Sequence, residues 1–441
     1  MYPNLYYLFK DVFGWNLPAL KIINTFGFCV TISFLVCAWL LVKELKRKQA
    51  NGYFTYKETE IVVGKPANTG ELLINFFLGF LLGYKILGVF IIKGALNDPQ
   101  EFIFSSHGSF PAGILLGLFF AGLKWWEKNK TKLTNPETRT IRIWPSDRVG
   151  DMTIIAAVFG FAGAKIFDNL ENWDRFIQDP VGNLFSPSGL TFYGGLIVAS
   201  LALLYYFRRN KISFINVADA CAPGLMFAYG WGRMGCQVAG DGDWGIINSA
   251  FLSDADGTVQ LANSPNDFHR VLVDNSTYYV NQFGSLDNVQ HAAVKPFFGL
   301  PNWLFAYTYP HNVNNEGIPL FGCSWDNYCN HLPLPVFPTP IYEIITCLIL
   351  FGVLWSIRKK IKVPGRLFAI YLVLNGLERF IVEHIRVNTK YHFLGLNPTQ
   401  AEIISLGLIV AGAVLYVAAP KLKVSKYLSY KQQAAVTQNR V

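Results

Sequence analysis

Long apolar runs, separated by short polar or basic segments, dominate this chain. A helix needs roughly 20 apolar residues to cross the hydrocarbon core of a bilayer. Runs of that kind lie near 19–42, 71–93, 109–126, 149–168, 189–207, 214–235, 339–357, 364–384 and 400–419, which predicts about nine membrane-spanning helices. Basic clusters follow alternate runs. Lys43, Lys46, Arg47 and Lys48 follow the first; Lys124, Lys128, Lys130 and Lys132 the third; Arg208, Arg209 and Lys211 the fifth. Arg358, Lys359, Lys360 and Lys362 follow the seventh, and Lys421, Lys423 and Lys426 the ninth. If successive spans alternate in direction, every cluster falls on one side, and the positive-inside rule makes that side the cytoplasm. The N-terminus is then outside and the C-terminus inside.

One polar stretch breaks the alternation. Residues 246–337 are rich in Asn, Asp, Pro and aromatics and poor in Lys and Arg. They follow the sixth run and so lie on the outer side, where they read as a small folded cap with short strands. The chain thus divides into 1–56 (first span), 57–147 (a span pair), 148–245 (core spans), 246–337 (the cap) and 338–441 (C-terminal spans and a basic tail).

Composition agrees with lipid as the solvent. Of 441 residues 52% are hydrophobic and only 15% charged, against about 25% in soluble domains. The net charge of +9 resides in the loop clusters, not on one face, which argues against nucleic acid as a partner. Lys10 and Asp11 lie early and no small-residue cleavage site follows, so the first span reads as the insertion signal rather than a cleaved leader. Seven cysteines are too few for a disulfide scaffold. Cys29, Cys37, Cys221, Cys236 and Cys347 fall in or beside apolar runs and read as small buried residues. Cys323 and Cys329 share a polar loop and are a disulfide candidate if that loop is outside; two ligands alone do not make a zinc site.

A weak internal repeat is present. Gly83-Tyr84-Lys85 resembles Gly163-Ala164-Lys165, and Asp98-Pro99 and Asp179-Pro180 follow at nearly equal distance. Gly108-Ser109-Phe110-Pro111-Ala112-Gly113 then parallels Gly189-Leu190-Thr191-Phe192-Tyr193-Gly194-Gly195. Each unit reads as a span, an outer loop and a returning span. Repeats are common in transporters, which keeps a transporter open as an alternative; coincidence within apolar sequence is the other.

Four segments carry candidate chemistry. In Gly230-Trp231-Gly232-Arg233-Met234-Gly235-Cys236-Gln237-Val238-Ala239-Gly240-Asp241-Gly242-Asp243-Trp244-Gly245 an arginine stands at the outer edge of a span. An arginine there costs about 3 kcal/mol on insertion scales and persists when an anion meets it. Beside glycines that expose backbone N–H groups, it fits a phosphate seat, or else it snorkels to headgroups. In Glu378-Arg379-Phe380-Ile381-Val382-Glu383-His384-Ile385-Arg386, residues 379, 383 and 386 share one helical face, as a polar cavity wall or a structural ion pair. Pro338-Thr339-Pro340-Ile341-Tyr342-Glu343 opens a helix, with Glu343 placed either to cap it or to orient an arginine. Tyr193-Gly194-Gly195 allows close helix packing, with Tyr193 at a cavity edge or in an aromatic belt.

In this order the segments resemble the prolipoprotein diacylglyceryl transferase family. Asn24-Thr25-Phe26-Gly27 looks like that family's opening motif, and the similarity covers about 20–56, 148–245 and 336–420. The resemblance implies an all-α polytopic membrane protein of the bacterial inner (plasma) membrane, with its active site on the periplasmic side; the large loop that reads as a small periplasmic cap, and the extra span pair, are unusual for the family. It implies transfer of the diacylglyceryl group of phosphatidylglycerol to the lipobox cysteine of a prolipoprotein signal peptide. A thioether forms, glycerol phosphate leaves, and no metal or cofactor takes part.

By the same match Arg233, Gly194, Gly195, Gly245, Arg379 and Glu343 bind phosphatidylglycerol, and Arg386, Tyr193, Glu383 and Asp241 serve catalysis. The chain departs from the family pattern at Tyr193 and Phe337, where histidine is common, at Cys236, where asparagine is common, and at Phe26, where tyrosine is common. Val387 and Asn388 replace a Pro-Asp pair. Trp244-Gly245 arrives one residue late, which leaves Asp243 as a second candidate for the acid. The base stays open between Tyr193, His311, His384, Glu383 and the phosphate itself, the two histidines reading first as structural. A lipoprotein-precursor scaffold without activity is the remaining alternative.

Overall fold

The computed structural model describes residues 1–422 apart from 187–188, 190, 326 and 388–397. Leu190, Asn388, Lys423 and Lys426 of the sequence reading lie outside the described residues. The described chain is mostly helical, and helices occupy all nine apolar stretches. They are α1 Thr25–Ala50, α2 Thr69–Leu82, α3 Phe110–Lys130, α4 Val149–Glu171 and α5 Phe192–Arg209, then α6 Phe214–Ala239, α7 Thr339–Ile357, α8 Arg366–Glu383 and α9 Gln400–Ala418. Five stretches, Thr25–Ala50, Thr69–Ile91, Pro145–Glu171, Thr339–Ile357 and Gln400–Lys421, are long and apolar enough by length and composition to cross a membrane.

The first helix differs from its expected 19–42. Pro18–Ile22 forms a separate 3-10 turn, and the α-helix starts after Asn24, whose side chain accepts the Gly27 N–H at 3.2 Å. It then runs on through the basic cluster to Ala50. Lys, Leu, Glu and Gln there are strong helix formers, and Arg47 and Lys48 in the last turn oppose the negative end of the helix dipole. The second stretch continues α2 through a π-turn at Gly83–Leu87 to Gly88–Ile91.

Two compact units result. Within the described residues one holds Met1–Gly14, Ile23–Glu44 and 215–422; the other holds Trp15–Ile22 and Leu45–Phe214. In the second unit α2 packs on α3 and α4 on α5. The two hairpins share contacts. A side chain on Gly83 would overlap the Ala112 carbonyl, and one on Gly163 the Gly194 carbonyl. Ser109 donates its N–H to Tyr84 at 2.9 Å, and Thr191 to Ala164 at 3.1 Å. Asp98 and Asp179 each cap a short helix whose first residue is proline, accepting from Glu101 and Gly182 at 2.9 Å. The same kinds of contact therefore recur at the paired motifs of the two hairpins. Antiparallel strands Lys57–Val63 and Glu137–Ile143 flank the first hairpin.

The first unit positions the charged segments. Asp219 of α6, buried, accepts the N–H groups of Gly365 at 2.8 Å and Phe368 at 2.9 Å, so a side chain of α6 caps the start of α8. Gly230 of α6 has Cys347 of α7 where its own side chain would be, and Gly376 of α8 has the Ser405 carbonyl of α9. Small residues here let backbones approach without relying on hydrophobic exclusion, which lipid does not supply. Residues 246–337 contain short strands and two helices, Pro265–Asp274 and Ser276–Phe283, around a core that includes Phe268, Tyr279, Tyr309 and Leu334. Cys323 and Cys329 form a disulfide. Of the apolar-run cysteines, Cys29, Cys236 and Cys347 are buried, whereas Cys37 and Cys221 are half-buried.

Candidate active site

Three arginines and three carboxylates from distant parts of the chain meet in the first unit. Arg233 lies near the end of α6. Its Nε is 2.8 Å from Glu343 Oε2, and its Nη1 pairs with Asp243 Oδ2. Glu343, in the first turns of α7 and fully buried, also takes Arg379 Nη1 of α8 at 3.0 Å and the Tyr229 hydroxyl at 3.0 Å. Arg379 reaches Glu383 through Nη2 at 3.1 Å. Arg386 pairs with Asp243 Oδ1 through Nη2, and its Nη1 stands 3.6 Å from Glu343. Glu343 orients all three cations, and Asp243 bridges Arg233 and Arg386.

The backbone around 240–246 is built for this. Gly240 and Gly242 have φ of 66° and 96°, a region that excludes most side chains. The turn they make carries Asp243 back over Arg233, and Thr339 Oγ1 pins it by donating to the Asp243 carbonyl at 2.8 Å. Gly245 donates its N–H to Phe337 at 2.8 Å, and Ile246 donates to Ile385 at 2.9 Å. A Cβ on Gly245 would meet the Ile385 carbonyl at 2.6 Å. This glycine is required where two backbones close on each other, and the contact sets the position of Arg386.

Electrostatics separate the two acids of the turn. Burial pushes the Asp243 carboxyl up, but Arg233 and Arg386 outweigh it and hold the group at about 2. Burial, only partly offset, leaves the Asp241 carboxyl above its ordinary value. Asp243, the alternative acid in the sequence reading, is the one between the arginines; Asp241 contacts the Asp243 N–H at 3.4 Å. The Nη1 of Arg386 is buried and has no hydrogen-bond acceptor among the described residues. A buried cationic donor left open in this way fits an anion with several oxygens.

Cys236, Asp241 and Asp243 bring possible metal-ligand atoms within 4.8 Å of one another. A cation there would compete with two guanidinium groups for Asp243, so this donor set fits a bound anion better than a metal. His311 stacks on Trp325 at 3.8 Å and its Nδ1 donates to the Tyr328 carbonyl at 2.9 Å, a structural placement within the cap. His384 Nδ1 donates to Phe380 at 2.8 Å. Tyr193, Gly194 and Gly195 belong to the second unit. There a Cβ on Gly195 would meet the Gly160 carbonyl at 2.7 Å, and Tyr193 lies edge-on to Phe192.

A membrane-embedded helical protein with a buried arginine–carboxylate cluster is the class that this fold and site define. The family model of prolipoprotein diacylglyceryl transferase matches residues 112–418, and the chain belongs to that family. A phosphatidylglycerol–prolipoprotein diacylglyceryl transferase of Leptospira interrogans is 24% identical over 93% of this chain and 92% of its own length. One from Clostridium perfringens, numbered 2, is 33% identical over 63% of this chain and 81% of its own. One from Dehalococcoides mccartyi is 25% identical over 62% and 76%.

Two side chains of the cluster escaped sequence reasoning. Tyr229 lies one helical turn before Arg233 on the same face, and that spacing was the available signal. Glu378 is buried next to Arg379 with neither carboxylate oxygen hydrogen-bonded among the described residues; an acid inside an apolar run was its signal.

Proposed function

We propose that this protein transfers the diacylglyceryl group of phosphatidylglycerol to the lipobox cysteine of prolipoproteins. The observation that carries the reading is the Asp243 carboxylate held between Arg233 and Arg386, with Arg386 Nη1 left open. That is the place and charge of a phosphodiester. Asp243 is about one-third exposed while Glu343 is fully buried, so Asp243 is the anion able to yield its place. In the reaction the cysteine sulfur attacks the glyceryl carbon next to the phosphate. The carbon–oxygen bond breaks and glycerol phosphate leaves with the electron pair. Arg233 and Arg386 stabilise the charge that develops on it, with Arg379 and Glu343 holding both in place.

The same exchange creates a base. Asp243 is a poor proton acceptor while two guanidinium groups hold it at about 2. When the phosphate takes over the arginines, the carboxylate recovers its basicity beside the incoming thiol, and a thiolate is the nucleophile. Asp241 stands behind it, Glu383 fixes Arg379, and Gly245 sets the place of Arg386.

The reading includes a bacterial inner-membrane location with nine spans, the N-terminus periplasmic and the C-terminus cytoplasmic. Helices in all nine stretches and basic last turns at Arg47 and Lys48, Lys128 and Lys130, and Arg208 and Arg209 support this. The Cys323–Cys329 bond accords with an oxidising outer side for 246–337.

The test gives purified protein phosphatidylglycerol and a lipobox peptide, with Arg233→Ala and Arg386→Ala beside the parent. Glycerol phosphate release by the parent alone is the expected result. No release by the parent, in lipid where the Leptospira relative works, removes the catalytic reading and leaves the scaffold or transporter.

A further inference from the structure

The cap carries a feature that the transfer reaction does not use. Residues 295–304, Lys-Pro-Phe-Phe-Gly-Leu-Pro-Asn-Trp-Leu, leave the cap core and return to it. Asn248, fully buried, closes the base. Its amide nitrogen donates to the Val294 carbonyl at 2.9 Å and the Phe305 carbonyl at 3.0 Å. Its oxygen accepts from Val294 at 3.0 Å and Ala250 at 3.2 Å. The side chain's hydrogen-bonding capacity is spent on joining the ends of one loop. Phe305, next to the base, is buried against Ala250 and Phe251.

The tip has the opposite character. Phe297, Phe298, Leu300 and Trp303 are all exposed, Phe298 at 95%. Leu300 donates its N–H to Phe297 at 3.1 Å, closing a turn whose central residues, Phe298 and Gly299, have φ of 54° and 71°. Two positive φ angles make a turn that favours Asn-Gly. A phenylalanine in the first position is a poor local choice, and here it aims an aromatic ring away from the protein. Strained backbone of this kind persists where the projecting side chain has a use.

We propose that the 295–304 loop is a membrane anchor whose apolar tip inserts into the phospholipid surface beside the outer end of α7. Two further observations name lipid as the occupant. The Tyr342 hydroxyl, in the first turn of α7, donates to the Leu304 carbonyl, which ties the loop to the level where a membrane-crossing helix begins. The loop contains no acidic residue, and Lys295 at its neck is exposed, a cation suited to headgroup phosphates. Trp and Phe are the side chains that settle at a bilayer interface. The anchor rests on α7 as a membrane span and stands whether or not the transfer assay succeeds.

The experiment uses the full chain in phosphatidylglycerol-containing nanodiscs. Phe298→Cys carries an NBD maleimide, Asp274→Cys on the same cap carries the label as a water-facing reference, and the labelled parent reports native thiols. The NBD at 298 is expected to emit to the blue of that at 274. It should lose more than half its emission to doxyl-labelled lipids and little to aqueous iodide, with the reverse at 274. Equal iodide quenching at both positions overturns the anchor. So does shielding of 298 that appears only after a lipobox peptide is added, since the loop then docks protein. Hydrogen exchange supplies a label-free arm. Amides of 296–304 should exchange at least tenfold faster in Phe298→Asp than in the parent in nanodiscs, and equal rates overturn the proposal.

Discussion

At the scale of single residues, Asp243 and Glu343 have different tasks despite shared partners. Glu343 is fully buried and ionically paired to Arg233 and Arg379, so Glu343→Gln leaves three guanidinium groups to share Asp243 and Glu383 inside the protein. Breaking a buried pair from one side costs about 3–5 kcal/mol. A loss of unfolding free energy of that order, read as a lower denaturation midpoint in detergent, is expected, with activity lost alongside. Asp243→Asn should behave otherwise. Removing the resident anion frees the phosphate seat, so the KM for phosphatidylglycerol should not rise. The proton acceptor is lost, and kcat should fall by about a hundredfold or more, the range of general-base contributions. A raised KM with unchanged kcat would remove Asp243 from the proton transfer. Arg233, Arg379 and Arg386 were legible because a cation in an apolar run demands a partner. The choice of Asp243 over Asp241 was not legible, since it depends on a turn of two left-handed glycines that only the fold displays.

At the scale of elements, close backbone approaches decide where the charges stand. Gly245 is the sharpest case. Gly245→Ala places a methyl group 2.6 Å from the Ile385 carbonyl and 2.9 Å from that of Phe337, so the strands must part and Arg386 moves with them. Transfer is expected to fall far more than thermal stability, as a misplacement of about 1 Å already costs on the order of a hundredfold in rate. Parallel assays of release and melting of the same preparation check this. Apolar run length made the long helices legible, and their ends were misjudged where capping decides, as at Asn24. The cap's helices were missed because Pro265–Asp274 and Ser276–Phe283 are short and sit among loop-forming Asn, Ser and Pro. The repeat was faint in sequence because what recurs is contact between small residues, Gly83 with Ala112 and Gly163 with Gly194, and side-chain identity elsewhere is free to drift in lipid.

At the scale of the whole molecule, the cap and the helices answer to different conditions. The helical part owes its place to apolar run length. The cap has its own apolar core, with His331 buried beside it and His311 half-buried. His331 is buried with Nδ1 3.2 Å from Ser253 Oγ and Nε2 without a hydrogen bond among the described residues. Burial lowers its pKa, with Leu332 and Asp256 opposing; burial lowers that of His311 too, opposed by Tyr328 and Asp11. A base whose folded pKa lies below its unfolded one binds protons more readily when unfolded. Stability is therefore full above the unfolded value of about 6.5 and declines as pH falls through it, levelling off below the folded value. Glu316, raised chiefly by burial, acts in the opposite sense, from the ordinary glutamate value of about 4.3 up to its raised folded value. Between about pH 6.5 and 5 the two histidines act in the same sense as the Met1 amino group, which packs on the cap and whose pKa burial lowers to about 5. Hydrogen exchange across 246–337 should accelerate over that window while α7 and α9 stay protected, and His331→Gln should flatten the response. Equal acceleration in cap and helices would show instead that the cap has no separate stability, and that the first unit opens as one.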